Sequence, residues 1–184
     1  MINYKILSES IDYYEQQGFK RIETPWLVSE YIDKLTKPPD IPSFQLKHNN
    51  KCLVASGEQT FLYLYLKDFL PKGQFQTTTP CFRNDSFDFH HTKYFIKNEL
   101  IKTDKINFGE LEKIVDICFS FYKKYIPDVE IVETNIGFDI NYKEFELGSY
   151  GIRECKFLKW IYATGCAEPR FSKIINLYKN GLSS

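Results

Sequence analysis

Residues 129–165 constrain the fold more than any other part of the chain. Three β-leaning runs, VEIVET (129–134), GFDINY (137–142) and EFELGSYGI (144–152), follow one another, and FLKWIYATG (157–165) comes directly after them. No helix-length segment separates these runs. Parallel neighbours need a long crossover, so strands joined this tightly pair as antiparallel neighbours. A chain with such a block is built on an antiparallel β-sheet, and its helical segments must flank the faces of that sheet, which makes the expected fold class α+β.

The remaining segments supply the flanking layers. Tyr4, Leu7, Ile11 and Tyr14 recur at helical spacing, and Gly18 suits a helix C-terminus, so a helix is expected over 4–17. FKRIETPWLV (19–28) is extended, with a corner at Pro25, because proline pushes its predecessor out of helical geometry. Ser29 caps a short helix through Lys34, and KPPDIPS (37–43) is a rigid loop. A hairpin about Asn49 and Asn50 is expected in 44–55, then a helix from Glu58 to Phe69, stopped by Pro71 and Gly73. Residues 74–85 read as a strand interrupted by Pro80, with its antiparallel partner at 93–103 across a loop at 86–92. Leu111, Val115, Cys118, Tyr122 and Tyr125 mark a helix over 108–126, and a closing helix is expected from 167 to 180, ending at Gly181.

Composition excludes several functional classes. With 184 residues the chain reads as one domain, large enough to bury roughly 70% of its unfolded surface. Lys and Arg number 24 and Asp and Glu also 24, with no basic block, so strong nucleic-acid binding is not expected. The five cysteines, at 52, 81, 118, 155 and 166, form no C-x-x-C pair and follow no signal-peptide pattern. A reduced, cytoplasmic protein is the expectation. No apolar run reaches the roughly 18 residues of a membrane span.

Three separated stretches carry a more specific pattern. Near the N-terminus the helix to Gly18 is followed by Phe19, Ile22 and Pro25. In the middle, Phe82, Arg83, Asn84 and Asp85 are followed after a loop by His91, Phe95 and Glu99, the last three at four-residue steps. Near the C-terminus, Gly165 precedes Pro169 and Arg170, and Pro169 suits the first turn of a helix. In this order the stretches resemble the three motifs of the class II aminoacyl-tRNA synthetase catalytic core, a fold shared with biotin ligases. The resemblance runs from near Tyr4 to near Tyr178. It leaves no room for an anticodon-binding domain within that span.

The resemblance implies ATP-dependent activation of an amino acid to an aminoacyl-adenylate. Arg83 and Arg170 would be the catalytic cations. Asp85, His91, Phe95, Glu146, Ser149 and Gly165 would join them around ATP, with Glu146 and Ser149 also taking magnesium through hard oxygens. Asp85 stands where relatives have glutamate, and Ala163 and Ala167 stand where they commonly have glycine. ASGEQT (55–60) resembles the segment that holds the substrate ammonium in seryl- and threonyl-type enzymes, so Ser56, Glu58 and Glu99 are the amino-acid candidates; Ser56 and Glu58 also suit a helix N-terminus. Some relatives that load carrier proteins hold zinc. Cys81 and Cys166 lie in the corresponding motifs, but without paired spacing no zinc site is expected. The first motif builds a dimer interface in relatives, so a homodimer is expected. The balanced charge points to a non-tRNA acceptor, either a carrier protein or a small amine. The alternatives are a non-catalytic nucleotide- or amino-acid-binding module and the catalytic subunit of a split synthetase.

Overall fold

The computed structural model describes residues 1–37, 41–84 and 92–181. Its elements in chain order are α1 (Tyr4–Gln16), β1 (Lys20–Arg21), β2 (Leu27–Ser29), α2 (Glu30–Asp33), β3 (Lys51–Leu53), α3 (Gly57–Leu66), β4 (Gln74–Phe82), β5 (Tyr94–Lys102), α4 (Phe108–Lys123), β6 (Glu130–Thr134), β7 (Gly137–Tyr142), β8 (Phe145–Cys155), β9 (Leu158–Glu168) and α5 (Arg170–Gly181). Seven strands form one sheet in the order β1-β4-β5-β9-β8-β7-β6, and β2 and β3 form a separate ribbon. The meander β6–β9 is antiparallel as expected, and β5 inserts against β9 to join the two halves. Among the described residues the one parallel pairing is β1 with β4. The α+β class holds. Among the described residues no helix is long and apolar enough to cross a membrane.

Two apolar cores cover the two faces of this sheet. On one face Leu7, Tyr14, Leu111, Tyr122 and Phe171, from α1, α4 and α5, pack on Leu100, Ile161 and Ala163. On the other, Val28, Ile32, Phe61 and Leu62 pack on Ile101, Trp160 and Tyr162. Strand alternation divides β9 between them, since successive side chains point to opposite faces. The second face is only partly covered, and the open part becomes the site.

Several boundaries differ from the sequence reading, each for a physical reason. β4 runs unbroken through Pro80, which pairs with Ile96. Its other edge is free there, because β1 reaches only Phe75 and Gln76, so the missing N–H costs nothing. Helix α3 ends at Leu66 rather than Phe69, and Asp68 takes a positive φ of 56°. β9 continues to Glu168 and α5 begins only at Arg170. Glu168 is wholly buried there and accepts from the N–H and hydroxyl of Ser172, at 3.0 and 2.9 Å, and from the N–H of Asn3 at 3.0 Å. It caps α5 from the preceding strand.

The first helix is also rotated from its expected stripe. Asn3 caps it, Gly18 follows with a φ of 87°, and its buried residues are Ile6, Leu7, Ser10 and Tyr14. Tyr4 is 68% exposed and Ile11 is half-buried. Ser10 sets the rotation: its hydroxyl donates to Leu7 O at 2.7 Å and receives Asn98 Nδ2 at 3.2 Å, while Asn98 Nδ2 also reaches Gln76 Oε1 at 3.1 Å. Buried polar groups must be paired, so this chain of bonds fixes which face of α1 meets the sheet.

Candidate active site

A cavity of about 320 Å³ lies on the second face of the sheet, between β5, β8, β9 and the N-terminus of α3. Alternation along β5 sends Phe95, Lys97 and Glu99 into it, and β9 contributes Tyr162, Thr164 and Ala167. The break in even spacing on β9 is a bulge: Asn98 pairs with Cys166 and Glu99 with Thr164, leaving Gly165 unpaired between them.

The sequence candidates converge on this cavity with few exceptions. Ser56, Glu58, Arg83 and Phe95 line it, as do Glu99, Glu146, Ser149 and Arg170. Asp85 and His91 lie outside the described residues. Gly165 does not face the cavity. Its carbonyl accepts from the Tyr14 hydroxyl at 2.9 Å, and a Cβ there would come within 2.8 Å of the Tyr14 ring, so the glycine lets α1 approach β9. Cys81 and Cys166 are both fully buried and do not line the cavity. Burial pushes the Cys81 thiol up to about 11 and the Cys166 thiol well above its usual value, which favours the neutral form. Among the described residues no group of three or more His, Cys, Asp or Glu is placed to hold a metal ion.

The mouth is lightly paired. Arg83 continues the β4–β5 hairpin, its N–H meeting Lys93 O at 2.9 Å, while its Nε donates to Ala55 O at 3.2 Å. The guanidinium lies 5.1 Å from the centre of the Phe95 ring, a cation–π contact that keeps both at the entrance. Across the mouth, Arg170 Nη1 stands 3.4 Å from Glu146 Oε1, their side chains 24% and 45% exposed. Ser149 pairs across strands with Asp139, whose carboxyl is pushed up by burial.

The inner end is tightly paired. Ser56 caps α3 by accepting the Glu58 N–H at 3.2 Å, and its hydroxyl donates to Glu99 at 2.8 Å. Lys97 Nζ reaches Glu99 Oε1 at 2.9 Å. Burial works against ionisation of Glu99, but the ammonium of Lys97, the Ser56 hydroxyl and Arg83 together hold it below the usual carboxylate range. Glu58, 3% exposed, accepts from Trp160 Nε1 at 2.6 Å and forms an ion pair with Arg153. Burial outweighs the pull of Arg153 and raises the Glu58 carboxyl to about 7. Arg153 in turn lies 4.1 Å from the centre of the Tyr162 ring.

Lys97, Arg153, Trp160 and Tyr162 are among the site residues that sequence reasoning missed. Of these four, a signal existed for two. Lys97 sits midway between Phe95 and Glu99, and Arg153 is four residues beyond Ser149, so period-2 alternation puts each on the face of its neighbour. Trp160 meets Glu58 across 102 positions, and nothing local announces that contact.

No protein-family model and no curated protein matches the sequence. Solved structures do. The pyrrolysyl-tRNA synthetase from Desulfitobacterium hafniense superposes with a TM-score of 0.76 at 18% identity, over 95% of this chain and 70% of that one. The seryl-tRNA synthetase from Pyrococcus horikoshii, complexed with ATP, gives 0.74 at 13% identity over 90% of this chain. The cytoplasmic serine-tRNA ligase from Naegleria fowleri, in complex with AMP, gives 0.66 at 15% identity, also over 90%. The chain spans about half the length of those two seryl enzymes, 48% and 51%, and 66% of a second pyrrolysyl-tRNA synthetase structure from Desulfitobacterium hafniense. With its seven-stranded sheet and flanking helices, this chain has the fold of a class II aminoacyl-tRNA synthetase catalytic core.

Proposed function

We propose that the protein activates an amino acid with ATP and passes the aminoacyl group to an acceptor other than tRNA, a carrier protein or a small amine. The observation that carries this reading is the convergence of Arg83 and Phe95, Glu146 and Ser149, and Arg170 on one cavity, although they come from stretches far apart in sequence. In the reaction a carboxylate oxygen of the amino acid attacks the α-phosphorus, the bond to the bridging oxygen breaks, and pyrophosphate leaves with the electron pair. Arg83 meets the charge that grows on the α-phosphate and can span phosphate and carboxylate with parallel N–H donors. Phe95 offers adenine a flat apolar face, and Arg170 faces the leaving pyrophosphate. The acceptor's nucleophile then attacks the carbonyl carbon and AMP departs.

Glu146 and Ser149 present hard oxygens at the mouth, a donor set that fits a magnesium ion carried in by the polyphosphate. Such an ion would neutralise phosphate charge. Arg170, beside one Glu146 oxygen, orients that carboxylate.

The balance of 24 basic and 24 acidic residues supports a non-tRNA acceptor. A homodimer through the first motif, from Tyr4 to Pro25, belongs to this reading, resting on Tyr4, 68% exposed, because Leu7 and Tyr14 are buried within the protomer. The five unpaired cysteines suit a reducing, cytoplasmic setting. The test is pyrophosphate exchange with each of the twenty amino acids, together with thermal shift on adding ATP and magnesium. Exchange dependent on one amino acid supports activation, whereas ATP stabilisation without exchange indicates a binding module. Submicromolar binding of one tRNA at physiological salt would overturn the choice of acceptor.

A further inference from the structure

We infer that Arg153 reads the side chain of the substrate and that the activated amino acid carries a second carboxylate. This rests on the activation reading above and names its substrate class. Arg153 projects from β8 into the cavity with its side chain 35% exposed, and the Tyr162 ring supports its guanidinium at 4.1 Å. One nitrogen, Nη1, bonds to Glu58. Among the described residues its remaining N–H groups have no hydrogen-bond partner. A guanidinium carries five donors in a rigid fork, so most of this one's capacity faces the space where a ligand would lie.

Charge balance points the same way. At the inner end the cations Arg153 and Lys97 stand against Glu99 and against Glu58, whose carboxyl, raised to about 7, carries at most one further negative charge. An amino acid whose own carboxylate faces Arg83 brings an ammonium to this end, leaving three cations against at most two anions. Uncompensated charge is costly where Glu58 and Glu99 are 3% and 1% exposed. A side-chain carboxylate supplies the missing negative charge, and the free edge of Arg153 can take it with two parallel bonds. A basic side chain would widen the imbalance. Glu58 keeps the Trp160 donor at 2.6 Å, so it stays partnered when Arg153 turns to a ligand.

The experiment is pyrophosphate exchange with all twenty amino acids, with aspartate against asparagine and glutamate against glutamine as matched pairs, on the parent protein, Arg153→Gln and Arg153→Lys. Circular dichroism and thermal shift with ATP serve as folding controls. Exchange should depend on aspartate or glutamate, with the amide roughly 10- to 100-fold poorer in kcat/KM, the scale of one charge-assisted hydrogen bond. Arg153→Gln should raise KM for the acidic amino acid and leave KM for ATP unchanged, and Arg153→Lys should recover part of the loss. If exchange is driven best by an apolar, neutral polar or basic amino acid, Arg153 is not the selector, while activation itself stands. An unchanged KM in folded Arg153→Gln overturns the inference equally. No exchange with any amino acid by a folded, ATP-binding protein would sink the activation reading, and the assignment of Arg153 with it.

Discussion

The two ends of the cavity are built differently. At the mouth, Arg83 rests on Phe95 and Arg170 stands 3.4 Å from a half-exposed Glu146. At the inner end Lys97–Glu99 and Arg153–Glu58 are ion pairs whose carboxylates are almost wholly buried and further held by Ser56 and Trp160. Exposed pairs contribute little to stability, while removing one partner of a buried pair strands a charge. The mouth is therefore free to rearrange around a ligand at small cost to the fold, whereas at the inner end the buried Lys97–Glu99 pair is part of the structure itself.

Substitutions at the two ends should separate along that line. The largest loss of stability is expected for Lys97→Met, which leaves Glu99 buried without its cation; unfolding in urea should show a loss of roughly 3–5 kcal/mol. A loss below about 1 kcal/mol would mean that Ser56 alone suffices for Glu99. Next comes Arg83→Ala, which should fold normally by circular dichroism yet exchange pyrophosphate about 100- to 1000-fold more slowly, the effect of losing one preorganised donor of roughly 2.7–4 kcal/mol. Arg83→Lys should recover little, since an ammonium cannot span two groups with parallel bonds.

A pH series sharpens the description of the inner end. The Glu58 carboxyl is raised from 4.5 to about 7, so between those values the folded state holds a proton that the unfolded state has released. Its contribution to stability is complete below 4.5 and is lost as pH rises to 7. Relative to Glu58→Gln, which does not titrate, the parent should lose up to about 3 kcal/mol across that window. A constant difference from pH 4.5 to 7 would contradict the assignment. The smallest expected effect on stability is that of Arg170→Ala, below about 1 kcal/mol because its pair with Glu146 is open to solvent, although ATP should bind more weakly. Thermal shift with and without ATP measures both.

The same contrast governs what the sequence made legible. Arg83, Phe95 and Glu99 follow one another along a single hairpin, so fixed spacing marked them. The meander showed itself through short connections, and Gly18 marked the end of α1, where it adopts a φ of 87°. Ser56 had two readings in the sequence, as a cap and as a binding residue, and its hydroxyl does serve as the cap while also holding Glu99. Arg153 and Trp160 act on Glu58 across 95 and 102 positions, which only the pairing of β8 with β9 and the packing of α3 bring about. Gly165 looked like part of the glycine-rich third motif, but its role depends on Tyr14, 151 positions away. The rotation of α1 had a similar cause, since Ser10 turns inward only because Asn98 and Gln76 lie beneath it.

The central claim is that this cavity joins an amino acid's carboxylate to ATP. Pyrophosphate exchange on the intact protein, with each amino acid in turn and Arg83→Ala alongside, tests it most directly. Incorporation of labelled pyrophosphate into ATP that requires one amino acid and falls about 100-fold or more in the variant is the predicted result. Exchange independent of Arg83 in a folded variant, or none with any amino acid, would contradict it.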